Sequence, residues 1–373
     1  MSNHDSLTEW ALSRGYKLNG IKAHAFAGRG LGVIAERNIE PGETLMIIPM
    51  RAVRTAETVP RKIVESVDSC SNNGLLAAEL AQDESSEFAV WRQSLPSMQD
   101  LQTMPVVWEE VVAQCLPSKA RGILSKQAAK IRKDWDAVTA GHIDVSFENF
   151  RYFWLLVNTR TFYYTPSNMK TAPVSSEECL AVVPYGDYFN HSDVGCKVAY
   201  SASSYEITAD RRYSKGEEVL LSYGNHSNDL LLVEYGFIFD GNRWDETTLD
   251  DVVIPLLSED RKKILQNEGY WLDYHLDRDG PCYRTKVAVR LLCMPLRQWR
   301  RGLAKGFDDD DRYKRMVNEH LLRVFGNYRR IVSERLEQAS NLSVGIEAQK
   351  DILRRRWGQI DKMILDAIEQ IKR

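Results

Sequence analysis

The spacing of apolar positions changes character along this chain, and each change predicts a different kind of element. Residues 7–14 carry apolar side chains at helical spacing and stop at Gly15, which predicts a short N-terminal helix. Two β-type runs follow, 28–37 and 43–49, separated by Glu40-Pro-Gly. Their alternation, split by a Pro-Gly turn, predicts a pair of strands joined to each other. From about 56 to 148 the pattern turns helical, with good helix formers at 75–81 and 118–136. Residues 147–162 are aromatic-rich and also read as a helix. Short strands are predicted at 180–184, 196–200, 205–208 and 218–222, with Ser201, Ser203 and Ser204 in the turn between two of them. A helix is predicted from about Asn225–Asn228 to Tyr235, ended by Gly236.

After Gly241 the chain reads as helical to its end. One helix places Leu321, Phe325, Tyr328, Val332 and Leu336 on a single face. Another does the same with Leu353, Trp357, Ile360, Ile364, Ile368 and Ile371. Steps of three and four are the helical period. The charge runs 308–311 and 354–356 read as solvated faces or loops. No internal repeat is visible.

Composition narrows the picture. The chain has 373 residues, 43% hydrophobic and 27% charged, which fits about two globular domains and excludes a disordered polymer. Its net charge is −3, whereas a protein that wraps nucleic acid through bulk charge is usually basic. Nucleic acid is therefore not an expected partner, although a local basic patch stays compatible with that balance. The longest apolar stretches, 45–50 and 252–257, are far below the roughly 18 residues of a membrane span. The N-terminus lacks a basic stretch followed by an apolar one, so no secretory signal is expected. Six cysteines are scattered without a C-x-x-C pair. They read as reduced thiols in an intracellular protein of cytoplasm or nucleus, without structural zinc.

Three segments concentrate candidate chemistry. Gly28-Arg-Gly-Leu-Gly32 superficially resembles a dinucleotide loop, but the residues after it are β-like and position 33 is Val, so that reading fails. Glycine still allows a backbone to approach a ligand closely, and a tight turn before a strand is the plainer alternative. Pro184-Tyr-Gly-Asp-Tyr-Phe-Asn-His-Ser192 gathers Asp187, Asn190 and His191 after a buried-looking strand. The remaining histidines lack metal-ligand spacing, and no G-x-S-x-G elbow is present, so metal and serine-hydrolase readings are weak. The third segment, 215–237, ends a strand at Tyr223-Gly224 and begins a helix directly afterwards.

In their order along the chain these segments resemble the SET-domain methyltransferases. GRGLGVIAERNIEPGETLMIIP, Asn158-Thr159-Arg160, DYFNH and GEEVLLSYGNHSNDLLLVEYGF carry the resemblance over about residues 20–240. Within that superfamily they are similar to the branch typified by the Rubisco large-subunit lysine methyltransferase. Residue 27 is Ala where relatives often have an acidic residue, and no cysteine-rich segment follows Tyr223, unlike histone-type enzymes.

The resemblance implies an α+β fold: a β-rich SET domain over 1–245, with a helical insertion at about 56–148, then an all-α C-terminal domain over 246–373. It implies transfer of a methyl group from S-adenosylmethionine to a nitrogen, with a lysine of a non-histone protein as acceptor. A histidine or small-molecule acceptor, or a lapsed binding module, are the alternatives. Cofactor contacts would come from Ala27, Gly28, Arg29, Leu31, Arg160, Asn190, His191 and Tyr235. Thr159, Asp187 and Phe237 would face the substrate, the first two through carbonyls that accept C–H···O contacts. Tyr223 would orient the target nitrogen rather than act as a strong base, since a free tyrosine has a pKa of about 10. The expected partner is a protein substrate alone, with no membrane and no metal, and the expected state is a monomer.

Overall fold

The computed structural model describes residues 3–26, 30–165, 179–307 and 311–373. They form two compact units: residues 1–101 with 126–225, and residues 102–125 with 226–373.

The first unit opens with the helix Asn3–Ser13, whose Leu7, Trp10 and Ala11 are buried at helical spacing. Gly15, at φ +88°, ends it in a left-handed conformation that only glycine adopts without strain. Among the described residues ten strands follow: β1 (Lys17–Leu18), β2 (Ile21–Phe26), β3 (Gly30–Ala35), β4 (Thr44–Pro49), β5 (Arg54–Thr55), β6 (Thr161–Tyr163), β7 (Leu180–Val182), β8 (His191–Tyr200), β9 (Ser204–Thr208) and β10 (Glu218–Val219). They make three small antiparallel sheets, ordered β1-β4-β9-β8, β10-β3-β2 and β5-β7-β6.

The expected pairing of β3 with β4 is corrected here, because the two strands lie in different sheets. The Pro-Gly corner does not close a hairpin; a distant segment captures its backbone. Buried Ile39 exchanges hydrogen bonds with Tyr213, at 2.9 and 3.1 Å, and Gly42 N donates to Ala209 O at 2.9 Å. Local alternation signals a strand but says nothing about its partner.

Between β5 and β6 the chain runs through a series of helices, among them Asn72–Gln82, Ser118–Ala140 and Phe147–Arg160. Ser71 caps the first by accepting Gly74 N at 3.0 Å. Buried Asp134 ties the three together. It accepts from Ser71 N (2.9 Å), Ser71 Oγ (2.6 Å) and Trp154 Nε1 (2.8 Å). A buried carboxylate is tolerated when its oxygens are satisfied in this way.

The second unit is helical, as expected, and also holds a small antiparallel sheet absent from the sequence reading: β11 (Glu246–Thr248), β12 (His275–Asp277) and β13 (Gly280–Pro281). Strands of two or three residues leave no periodic signature. The helices Asp311–Ser340 and Glu347–Lys372 pack by their anticipated faces: Leu321, Phe325, Tyr328 and Val332 are buried, as are Leu353, Trp357, Ile360 and Ile364. The charge run 354–356 departs from its expected solvated role. Arg355 is exposed, but Arg356 is fully buried, since it lies on the face shared by Ile352, Leu353 and Ile360. No helix among the described residues is long and apolar enough to cross a membrane.

Candidate functional site

The first unit brings the DYFNH turn and the SYG strand end together through a close backbone crossing. Leu221 bridges in parallel to both His191 and Cys196. Leu221 N donates to Asn190 O at 3.0 Å, and Cys196 N donates to Leu220 O at 2.8 Å. Gly195 sits where a Cβ would come within 2.6 Å of Leu220 O and 2.7 Å of the Leu221 backbone. Only glycine lets the two segments approach this closely.

That crossing fixes Tyr223. Its backbone N donates to His191 Nδ1 at 3.0 Å, and its hydroxyl donates to Phe189 O at 2.7 Å. The His191 and Tyr223 rings lie 5.0 Å apart. Because Nδ1 accepts, the neutral imidazole carries its proton on Nε2. Because the phenol hydrogen is directed at Phe189 O, the hydroxyl meets any further N–H as an acceptor.

Asn190 anchors the glycine-rich segment from the other side. Its Nδ2 donates to Leu31 O at 2.9 Å and to Glu218 Oε1 at 2.8 Å. A Cβ on Gly32 would lie 2.8 Å from both Asn190 Nδ2 and Glu218 Oε1. Glycine at position 32 therefore makes room for the asparagine, a packing reason for that glycine that the sequence reading did not supply. Ala27, Gly28 and Arg29 lie outside the described residues.

Arg160 closes the helix Phe147–Arg160 and faces Asp187. Its Nε lies 3.4 Å from Asp187 Oδ2, and its Nη1 donates to Thr159 Oγ1 at 2.9 Å. Thr159 Oγ1 in turn donates to Leu155 O at 2.9 Å. The Asp187 side chain is buried, 1% exposed, and also accepts from Trp91 Nε1 at 3.3 Å. Burial pushes its carboxyl upward, and the Arg160 charge opposes that shift. Its Oδ1 has no hydrogen-bond partner among the described residues. The turn itself is strained: Tyr185, completely buried, has φ +66°. It stacks on Tyr188 at 5.5 Å, and Tyr16 pins the adjacent Pro184 O at 2.9 Å. Strain in a bulky residue that its surroundings hold in place is a feature of functional turns.

Tyr235 and Phe237 belong to the second unit. Tyr235 ends the helix Asn228–Tyr235, which Gly236 caps at φ +79°. Its ring lies 6.3 Å from Phe237 and stacks on His226 at 6.3 Å. Burial pushes its phenol up to about 12.

The structure thus brings together Leu31, Asn190, His191 and Tyr223 by direct bonds, and Thr159, Arg160 and Asp187 in a second cluster reached by the same turn. Glu218, Gly195 and the Phe189 carbonyl were missed. Glu218 stood inside the GEEVLLSYG segment, but nothing in its local pattern names Asn190 as its partner.

The SET domain family matches residues 30–224, and the family described as the ribosomal lysine N-methyltransferase 2 C-terminal domain matches residues 245–370. Ribosomal lysine N-methyltransferase 2 of Saccharomyces cerevisiae is 27% identical over 316 residues, covering 71% of this chain but only 64% of the yeast protein. Ribosomal lysine N-methyltransferase set11 of Schizosaccharomyces pombe is 26% identical over 359 residues, 92% of each chain. A crystal structure of the SET domain of LSMT bound to lysine and AdoHcy shares the fold, with a TM-score of 0.65 and 16% identity over 100% of this chain and 92% of that one. Since the SET match spans more than half of the sequence and takes in both the glycine-rich strand and the Tyr223 crossing, this chain belongs to the SET-domain family.

Proposed function

We propose that this protein is an S-adenosylmethionine-dependent N-methyltransferase that modifies a lysine side chain of a non-histone protein, with ribosomal proteins as the substrate class. The observation that carries the reading is Tyr223, whose ring and hydroxyl are fixed by His191 and Phe189 O beside a backbone crossing. The ribosomal class is supported by the relatives of that description, one of which covers 92% of this chain.

The residues present suit the cofactor. Arg160 offers a fork of donors for a carboxylate, and the buried Asp187 Oδ1, with no partner among the described residues, offers an acceptor to a donor group. S-Adenosylmethionine, when bound, supplies an electrophilic methyl group on a sulfonium. The chain's own contribution is positional. Tyr223, its hydrogen already directed at Phe189 O, accepts an N–H of the neutral acceptor amine and so aims the nitrogen lone pair. Carbonyls near Thr159 and Asp187 accept weak contacts from polarised C–H groups. Alignment of this kind removes much of the entropic barrier to a bimolecular transfer. The Asn190 side chain, through its bond to Leu31 O, holds β3 beside the Asn190–His191 turn. The roles of Ala27, Gly28 and Arg29 against the cofactor, and of Tyr235 and Phe237 as aromatic surfaces, rest on the family resemblance. So does action inside the cell as a monomer. The division into a SET part over 1–245 and a helical part over 246–373 belongs to the same proposal, supported by family matches that end at 224 and resume at 245.

Incubation of ribosomes from cells lacking the protein with methyl-labelled S-adenosylmethionine should label one or a few proteins, and mass spectrometry should place the mass increase on lysine. Label on histidine, label confined to small molecules, or no transfer to any protein would each overturn the reading. Arg160→Ala is expected to weaken cofactor affinity by about 10- to 150-fold, from the roughly 1.5–3 kcal/mol of a charge-assisted hydrogen bond. Titration calorimetry reads that loss, and unchanged affinity would confine Arg160 to its structural bond with Asp187.

A further inference from the structure

We infer that the helix Leu296–Lys305 is a docking ridge for the phosphate backbone of RNA. Although the chain is acidic overall, residues 280–307 contain seven basic residues and no Asp or Glu. Four of these basic residues, Arg297, Arg300, Arg301 and Lys305, are exposed on this one ten-residue helix. Arg297, Arg301 and Lys305 follow at intervals of four, a stripe with about 6 Å of rise between charges. Among the described residues none of the three has an ion-pair partner, while Arg300 lies 3.3 Å from Glu268.

Such a stripe is unfavourable for the helix itself. Like charges four apart repel, and Arg297 stands in the first turn, where the helix dipole opposes a cation. The opposite face holds the helix firmly. Trp299 is fully buried and donates to Val287 O at 2.9 Å, Gly302 packs on the Phe307 ring, and Gln298 accepts from Tyr313 at 2.6 Å. The ridge is therefore a rigid surface of fixed charge spacing.

Charge complementarity favours phosphate over a protein partner. Protein interfaces are built around aromatic and apolar anchors at their centre, with arginine among them rather than alone. This face offers Leu296 as its one large exposed apolar side chain. A phosphate backbone needs no apolar anchor, and three of the four ridge residues are arginines, whose planar forks fit phosphate. The inference goes beyond the methyltransferase reading while agreeing with it, since a ribosomal substrate would present RNA beside it.

The test uses the full chain without cofactor, so that it and the methyltransferase reading can fail separately. A fluorescein-labelled 20-nucleotide RNA of mixed sequence is titrated at several salt concentrations against wild type, the triple variant R297Q/R301Q/K305Q, and a control R132Q/K133Q that removes exposed cations elsewhere. Each phosphate contact to a single strand contributes a salt slope of about 0.7, so at ~0.1 M salt three contacts are worth on the order of 100-fold. The expected result is a wild-type affinity that falls linearly with the logarithm of salt. The triple variant should lose on the order of 100-fold with a slope shallower by about 2, and the control should stay within about threefold of wild type. The triple variant's melting temperature should equal or exceed that of wild type, since repulsion along the stripe has been removed. The acidic run at 308–311, three residues beyond Lys305, makes the wild-type measurement decisive. Absence of RNA binding by wild type at ~0.05 M salt, equal binding by wild type and triple variant, or tighter binding of labelled polyglutamate than of RNA would overturn the inference.

Discussion

Arg356→Ala is expected to destabilise the second unit by about 3–5 kcal/mol, the usual cost of removing one partner from a buried ion pair. Arg356 is fully buried and makes charged bonds on two sides: Nε to Asp229 Oδ1 at 2.6 Å and Nη1 to Asp245 Oδ2 at 2.7 Å. Its Nη2 also donates to Glu246 O at 3.0 Å. Around it, Asn228 N donates to Asp245 Oδ1 at 2.9 Å, and Asn228 Nδ2 donates to Gln359 Oε1 at 3.0 Å. Alanine leaves two buried carboxylates without the guanidinium that bonds both, so each is driven to protonate or draw in water. At about 2–4 °C per kcal/mol for a chain of 150–250 residues, the melting temperature should fall by on the order of 10 °C. The triple variant Arg356→Met, Asp229→Leu, Asp245→Asn should recover part of that loss, because replacing a buried ion cluster by packed apolar residues is often close to neutral, and an asparagine at 245 still accepts from Asn228 N. A single variant that melts within a degree or two of wild type would show the network to be solvated. The same bonds predict that cutting the chain after Asp245 leaves Asp229 and Asp245 without their cation.

Tyr223→Phe is expected to lower turnover at least 10²-fold while leaving cofactor affinity nearly unchanged. The substitution keeps the ring beside His191 and removes one oxygen, along with its 2.7 Å bond to Phe189 O. Losing that bond should cost about 0.5–1.5 kcal/mol of stability. If the hydroxyl aligns the acceptor nitrogen, the 10²-fold loss corresponds to about 2.7 kcal/mol of transition-state stabilisation. Rates on a verified substrate, compared with calorimetric binding of S-adenosylmethionine, separate the two effects. Turnover within a few-fold of wild type would reduce Tyr223 to a packing residue at a strand end.

The contrast between these two residues shows what a sequence can carry. Tyr223 stands out in the sequence because it sits in a long run, GEEVLLSYGNHSNDLLLVEYGF, which resembles SET enzymes in its order with GRGLG and DYFNH; its proposed role rests on that resemblance. Arg356 was misread as part of a solvated charge run, because its partners lie 127 and 111 residues away. A local window sees three arginines and cannot see Asp229 or Asp245.

By itself the sequence determined the elements whose cause is local. The faces of the two long helices follow from a period of three to four, and Gly15 and Gly236 end helices because their backbones reach positive φ without a Cβ clash. Tertiary structure alone decided which strands pair. It set β3 against β2 and β10 rather than β4, and it paired Ile39, between β3 and β4, with the distant Tyr213. It also decided that Gly195 is needed for the Leu221 crossing, and that Asn190 and Glu218 hold the glycine-rich strand together. Helix periodicity and turn chemistry are properties of neighbours in sequence. Backbone hydrogen bonds between strands and buried charge pairs satisfy groups that are far apart along the chain, so only the folded arrangement names their partners.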